Sequence, residues 1–304
     1  MLVRLVDKGW LQHAYAGLFR RFTMIRILDF AWLLYPGPRE KRRFVFFRFC
    51  SDESYNGAKD IDPNSFATSG FFSNQETWEE VENRWNEINQ KYGVPRFHAQ
   101  HLNRRDNEYD GWCKCKADSY SAELLDAIND QGTRMRAYNC GMHADIYEEI
   151  ISPEGREKLG PPWMACFKSC IAMIALDMQP LTGFNQVSVM FERGSGFDIQ
   201  AVATFESMKD NPLFEHRRQL LMCAPVSADE LIGVQAADMM AFEYCKRLRD
   251  RDGKRKPRPP YERIRECNSI VERYFGRRTL TAMKEQIENA VCGPGQLVII
   301  PDLK

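Results

Sequence analysis

The sequence contains no run of apolar residues approaching the ~18–20 that a membrane span needs. Its one apolar N-terminal segment, around Ile25 to Leu34, is interrupted by Arg26 and Asp29. The first 35 residues carry no secretory cleavage pattern, although they are Arg-rich and acid-poor in a way that weakly mimics an organellar presequence. Net charge is also missing: 42 Lys/Arg balance 42 Asp/Glu, so the whole chain offers no global electrostatic case for binding nucleic acid. No internal repeat is present, which excludes solenoids and propellers. The ten cysteines are scattered along a large chain rather than concentrated in a short one, so a disulfide framework is not expected. Cys166, Cys170, Cys223 and Cys245 sit in apolar stretches and read as small core residues. These absences lead us to expect a cytoplasmic protein that makes no use of a membrane.

The sequence has 304 residues, 44% of them apolar and 28% charged, enough for one large domain or two small ones. Charge is unevenly placed. Residues 1–43 hold nine Lys/Arg against three Asp/Glu, and residues 246–260 hold eight against two, so the remainder is acidic on balance. Basic patches beside an acidic site suit a polyanionic substrate; the same runs also serve as plain solvated surface.

Apolar spacing predicts an amphipathic helix over residues 2–25, broken at Tyr35-Pro-Gly-Pro-Arg39. Strands are predicted at 44–50 and 66–72. Ser73 and Glu76 have capping-box spacing, and the following helix ends at Gly93. A short helix over 124–129 and a strand over 133–140 come next. Helices at 163–178, 201–208 and 231–249 then alternate with strands at 187–191 and 218–223. A basic, Pro-rich linker at 254–260, two helices and an apolar tail at 297–300 close the chain. This order predicts a mixed α/β fold.

Asp238 is the most informative residue. It is the only charged residue in Leu231-Ile-Gly-Val-Gln-Ala-Ala-Asp-Met-Met-Ala-Phe242, a stretch that otherwise reads as buried helix. A carboxylate in such surroundings must be protonated, paired or metal-bound. Gln235 lies three residues earlier on the same helical face. Two more acids stand beside apolar strands: Asp52, and Glu192 before a Gly-Ser-Gly turn. Carboxylates at the ends of neighbouring strands can converge, and a packed helix can add a third. Such hard oxygen ligands suit Mg²⁺ or Mn²⁺. Taken singly, each reads equally as a turn cap. His98, in Arg96-Phe-His-Ala-Gln-His-Leu102, is either a half-buried hydrogen-bonding residue or a proton shuttle or phosphate ligand; His101 has no case beyond proximity. A competing metal set, Cys113, Cys115, Cys140 and His143, offers four ligands for structural zinc, with a first spacing tighter than usual.

Together these residues resemble a known family. Ser51-Asp52-Glu53-Ser54 after an apolar strand is similar to its opening motif, Phe97-His98-Ala99 to its central motif, and Gln235-Ala-Ala-Asp238-Met-Met-Ala241 to its closing motif. The family is the domain-of-unknown-function family 3800, and order and spacing agree from about Phe44 to Arg249. The resemblance implies a ribonuclease H-like mixed sheet flanked by helices, with Asp52 as the first-strand metal ligand, Glu192 the mid-chain ligand and Asp238 the last. It implies a nuclease, of a kind linked to mobile elements or phage defence. No fourth carboxylate corresponds to the one on the first helix of ribonuclease H. The expectation is therefore a divalent-metal-dependent nuclease with catalytic Asp52, His98, Glu192 and Asp238, or a non-catalytic nucleic-acid-binding or protein-interaction module with the same groove. Domain boundaries are expected as a basic extension over 1–43, a domain over 44–250, and a linker with helices over 251–304 packing on that domain. Residues 1–43 lie outside the resemblance, Met24 is an internal candidate start, and Phe44 onward is expected to fold alone.

Overall fold

A computed structural model describes residues 46–55, 65–178, 185–194, 196–252 and 255–289. The helix expected over 2–25 and the tail at 297–300 lie outside the described residues. The remaining elements, in chain order, are β1 (Phe46–Tyr55), β2 (Ser65–Asn74), α1 (Gln75–Tyr92), α2 (Ala99–Arg104), α3 (Lys114–Asn129), β3 (Arg136–His143), α4 (Ala144–Ile150), α5 (Pro153–Leu159), α6 (Pro162–Asp177), β4 (Gln186–Glu192), α7 (Asp198–Asp210), β5 (Leu220–Val226), α8 (Ile232–Asp252), α9 (Pro259–Cys267), β6 (Ser269–Phe275) and α10 (Arg277–Asn289). The fold is α/β, a six-stranded mixed sheet flanked by helices.

Strand order is β5-β4-β1-β2-β3-β6. β2 runs antiparallel to both β1 and β3, whereas β4 is parallel to β1, β5 to β4 and β6 to β3. β1 is therefore an inner strand, with successive side chains on opposite faces. Phe49 joins the core cluster built with α6 and α7, where Trp163, Phe167, Ile171, Ile174 and Phe205 lie. On the other face Arg48 meets α1: its guanidinium pairs with Glu82 at 2.6 Å and stacks over Trp78 at 5.0 Å, and Trp78 Nε1 donates to the Arg48 carbonyl.

The long helix α8 crosses this second face against β1 and β2. Glycine makes that approach possible: a Cβ at Gly233 would lie 2.4 Å from Cys50 Sγ. Gly70 is equally constrained, since a Cβ there would overlap the Cys50 carbonyl oxygen in the adjoining strand. No single helix among the described residues is long and apolar enough to cross a membrane.

Four expectations need correction. The cap of α1 is Asn74, whose side chain accepts from the Thr77 N–H, while Ser73 Oγ donates to the Arg134 carbonyl instead. α3 begins ten residues before the expected helix, with Cys113 as its cap. No strand is expected after 218–223, yet between the two closing helices Ser269–Phe275 forms strand β6 beside β3. Cys113 and Cys115 are joined as a disulfide, whereas the seven other described cysteines are free thiols.

Candidate active site

Register brings the strand carboxylates together. In the parallel β1–β4 pair Ser51 is opposite Phe191. Asp52 and Glu192 are each one residue further along, so they point to the same face, opposite that of Ser51 and Phe191. That face is the one α8 covers. Asp52 lies within β1 rather than at its end, paired with Ser69 of β2, and Glu192 is the last residue of β4.

The three carboxylates feel one another's charge. Asp52 is raised well above the usual carboxylate range by burial first, then by the charges of Asp238, Glu53 and Glu192, against one backbone hydrogen bond that lowers it. Glu192 is raised by burial and then by Asp238, with His98 and Arg96 opposing. Asp238 is pushed up to about 6 by burial, against the lowering influence of the Ala99 N–H, His101 and Arg96. Asp52 and Asp238 thus retain protons to higher pH than ordinary carboxyls, as expected when like charges share a poorly hydrated site.

The spacing of Gln235 and Asp238 has a structural cause. Gln235 Oε1 accepts from the Phe97 N–H at 2.8 Å and from Trp85 Nε1 at 3.0 Å, and its Nε2 donates to the Ala228 carbonyl at 2.7 Å. Asp238 Oδ2 accepts from the Ala99 N–H at 2.8 Å. Between them, the His98 N–H donates to Tyr109 Oη at 3.0 Å, and that hydroxyl donates to the Arg96 carbonyl. Three successive backbone N–H groups are therefore pinned by three side chains, two of them one helical turn apart on α8. Residues 97–99 form the support on which His98 stands.

His98 Nδ1 is buried without a hydrogen-bond partner, and Asp238 Oδ2 is 3.6 Å away. Burial and the neighbouring His101 lower the His98 pKa, favouring neutral imidazole, while Glu192 and Glu108 oppose. His101, which the sequence singled out only for proximity, stacks on His98 with ring centroids 4.0 Å apart and meets Glu108 at 3.2 Å. Arg96 reaches Glu108 at 3.8 Å and Asp229 at 3.6 Å.

All four expected site residues thus lie around one locus: Asp52, Glu192, Asp238 and His98. The anchoring work of Gln235 was legible only as a shared helical face, and Tyr109 gave no signal beyond an aromatic in a polar loop. Three hard carboxylates that repel one another fit the donor chemistry of Mg²⁺ or Mn²⁺. Among the described residues, however, no three His, Cys, Asp or Glu side chains already stand as a closed ion-binding group. The zinc alternative is not assembled: Cys113 and Cys115 are bonded to each other, Cys140 is buried in β3, and His143 Nδ1 contacts Ser65 Oγ. Gly194 and Gly196 are both at positive φ, and the Gly194 N–H is bound by the Asp198 carboxylate.

No family model, curated protein or solved structure matches this chain.

Proposed function

We propose that the protein is a divalent-metal-dependent nuclease with a ribonuclease H-like sheet, hydrolysing nucleic-acid phosphodiester bonds at Asp52, Glu192 and Asp238. The observation that carries this reading is the shared electrostatics of three carboxylates delivered by β1, β4 and α8 to one face of the sheet. Strand order adds support. Three antiparallel strands, β3-β2-β1, are extended by β4 and β5 parallel to β1, with β6 appended beside β3, a mixed sheet of the kind the reading calls for. Fold analogy alone does not establish activity, so the reading rests on the site.

Mg²⁺ or Mn²⁺, when bound, supplies Lewis acidity toward the phosphodiester and makes water a better nucleophile. The chain supplies the rest. Asp52, Glu192 and Asp238 hold the cation as carboxylates, so the protons retained on Asp52 and Asp238 must leave first. The pinned 97–99 segment fixes His98 beside Asp238, and a ring nitrogen of His98 takes a proton from the attacking water when unprotonated, or donates to a phosphate oxygen when it carries a proton. The basic linker at 254–260 supplies salt-dependent contacts to the nucleic-acid backbone.

The test is cleavage of labelled DNA and RNA with Mg²⁺, Mn²⁺ or EDTA, beside Asp238→Asn and Asp52→Asn. We expect hydrolysis with metal, none with EDTA, and a loss of at least ~100-fold in either variant. Nucleic-acid binding without cleavage in any metal would select the second reading, a non-catalytic module in the same groove. One observation favours that alternative: one oxygen of Asp238 is already engaged by the Ala99 N–H.

A further inference from the structure

The Cys113–Cys115 disulfide stands apart from the other cysteines. Cys50, Cys140, Cys166, Cys170, Cys223 and Cys245 are all buried, and among the described residues only Cys267 is an exposed free thiol. Burial drives several of the buried thiols upward, to about 12 for Cys50 and well above their usual range for Cys166 and Cys170. They are poor nucleophiles for that reason. Cys113 and Cys115 are both exposed. They lie at the amino end of the sixteen-residue helix α3, where Cys113 is the cap and its Sγ accepts the Lys116 N–H at 3.3 Å. Negative charge on sulfur is favoured at such a position. The Cα atoms are 5.4 Å apart, within the usual span of a disulfide, so closing the bond requires no backbone displacement.

The bond spans a single intervening residue, Lys114. A loop this short removes little entropy from the unfolded chain, and a longer one would stabilise the fold more. Structural stapling is therefore a poor account of it. Accessibility, placement at a helix amino end and a ready-made partner sulfur are the attributes of a thiol pair that exchanges.

We propose that Cys113 and Cys115 form a reversible dithiol–disulfide couple at the surface of the protein, with low-molecular-weight disulfides such as oxidised glutathione as the exchange partner. The thiolate of one cysteine attacks a sulfur of glutathione disulfide. A mixed disulfide forms, and one glutathione leaves as a thiolate that takes up a proton. The second cysteine, as thiolate, attacks the protein-side sulfur of the mixed disulfide. The Cys113–Cys115 bond forms and the second glutathione departs. Two electrons have passed from the cysteine pair to glutathione disulfide, and two protons end on two glutathione thiols. Excess reduced glutathione runs the same steps backward.

The couple adjoins the candidate active site without belonging to it. Trp112, immediately before Cys113, packs edge-on against Tyr109 with centroids 5.2 Å apart, and Tyr109 holds the His98 backbone. Lys116, immediately after Cys115, lies 3.9 Å over the Trp112 ring.

The test is equilibration of the full chain in buffers spanning pure reduced to pure oxidised glutathione, followed by acid quenching and alkylation of free thiols. Mass spectrometry of the 110–117 peptide, released by cleavage before aspartate, reads the result. We expect this peptide to pass from doubly alkylated to unalkylated across the series, while the buried cysteines remain alkylatable after denaturation at every ratio. In Cys115→Ser, with no second sulfur to resolve it, Cys113 should retain a glutathione adduct in the oxidised buffer. A peptide that stays unalkylated in pure reduced glutathione would identify a fixed staple and overturn the proposal. So would one that stays doubly alkylated in pure oxidised glutathione, or a Cys113 that takes no adduct in Cys115→Ser.

Discussion

Asp238 carries two duties that pull in opposite directions. Its carboxylate accepts the Ala99 N–H, an interaction that favours the charged form, yet burial raises its pKa to about 6. A carboxyl whose pKa is higher folded than unfolded contributes most below its unfolded value of ~4 and loses that contribution as pH rises through the folded value. The ionised site therefore weighs against folding at neutral pH. Asp238→Asn keeps an oxygen acceptor for Ala99 and removes the charge. We expect it to be more stable than the parent at pH 8, by on the order of 1–3 kcal/mol, with the difference vanishing toward pH 4. Thermal melts of both proteins across that range, without divalent metal, check this; a constant difference would show that Asp238 titrates normally. Gln235 presents the contrasting case. It is buried and neutral, and truncation to Ala would strip acceptors from the Phe97 N–H and Trp85 Nε1. We expect Gln235→Ala to lose about 2–4 kcal/mol in chemical denaturation, far more than a surface Gln would.

At the scale of elements, α8 sets the site because it lies close enough to β1 for its side chains to reach the sheet. Gly233 against Cys50 is where that closeness is decided. Gly233→Ala alone should destabilise by about 1–3 kcal/mol through overpacking, and adding Cys50→Ala, which removes the sulfur in the way, should recover much of the loss. A double-mutant cycle measures the coupling; additive effects would mean that helix and strand do not meet there. The sequence revealed elements wherever apolar residues recur cleanly. Trp78, Val81, Trp85 and Ile88 announced α1, and the lone Asp238 in an apolar stretch announced α8. It misled where pattern and pairing conflict. Ile270 and Val271 are half-buried at the sheet edge rather than alternately buried, so β6 lacks the period-two signature that would mark a strand. The start of α3 was hidden because Lys114, Cys115 and Lys116 are all exposed and show no apolar face. The candidate carboxylates were legible as isolated acids in apolar settings. Their common face was not, since it depends on the β1–β4 register, which no local pattern encodes.

For the domain as a whole, the late segment completes the sheet. β6 occupies the edge beside β3, and α9 packs on α3, so residues after the basic stretch pack on both the sheet and the helical layer. Removing residues 269–304 would leave the β3 edge unpaired, a ready template for intermolecular pairing. We expect that truncation to aggregate on expression, with light scattering and size-exclusion chromatography as the readout. Removing residues 1–23, upstream of every described strand, should leave a soluble protein with a similar melting temperature. An insoluble product would place the N-terminal boundary of the domain earlier than Phe44.

The pairing of β1 with β4 matches Phe46 to Gln186, across a stretch of chain that, among the described residues, contains β2, β3 and six α-helices. Contacts between such distant stretches form only after a large loop closes, and they set the pace of assembly. Asp52 and Glu192 meet in that same event. Their mutual repulsion is absent while the chain is open and arises as the strands zip, so it should act on the rate of folding as well as on the final equilibrium. Stopped-flow refolding at pH 8 should be faster for Asp52→Asn than for the parent, and the gap should close at pH 4, where both carboxyls are protonated as the strands come together.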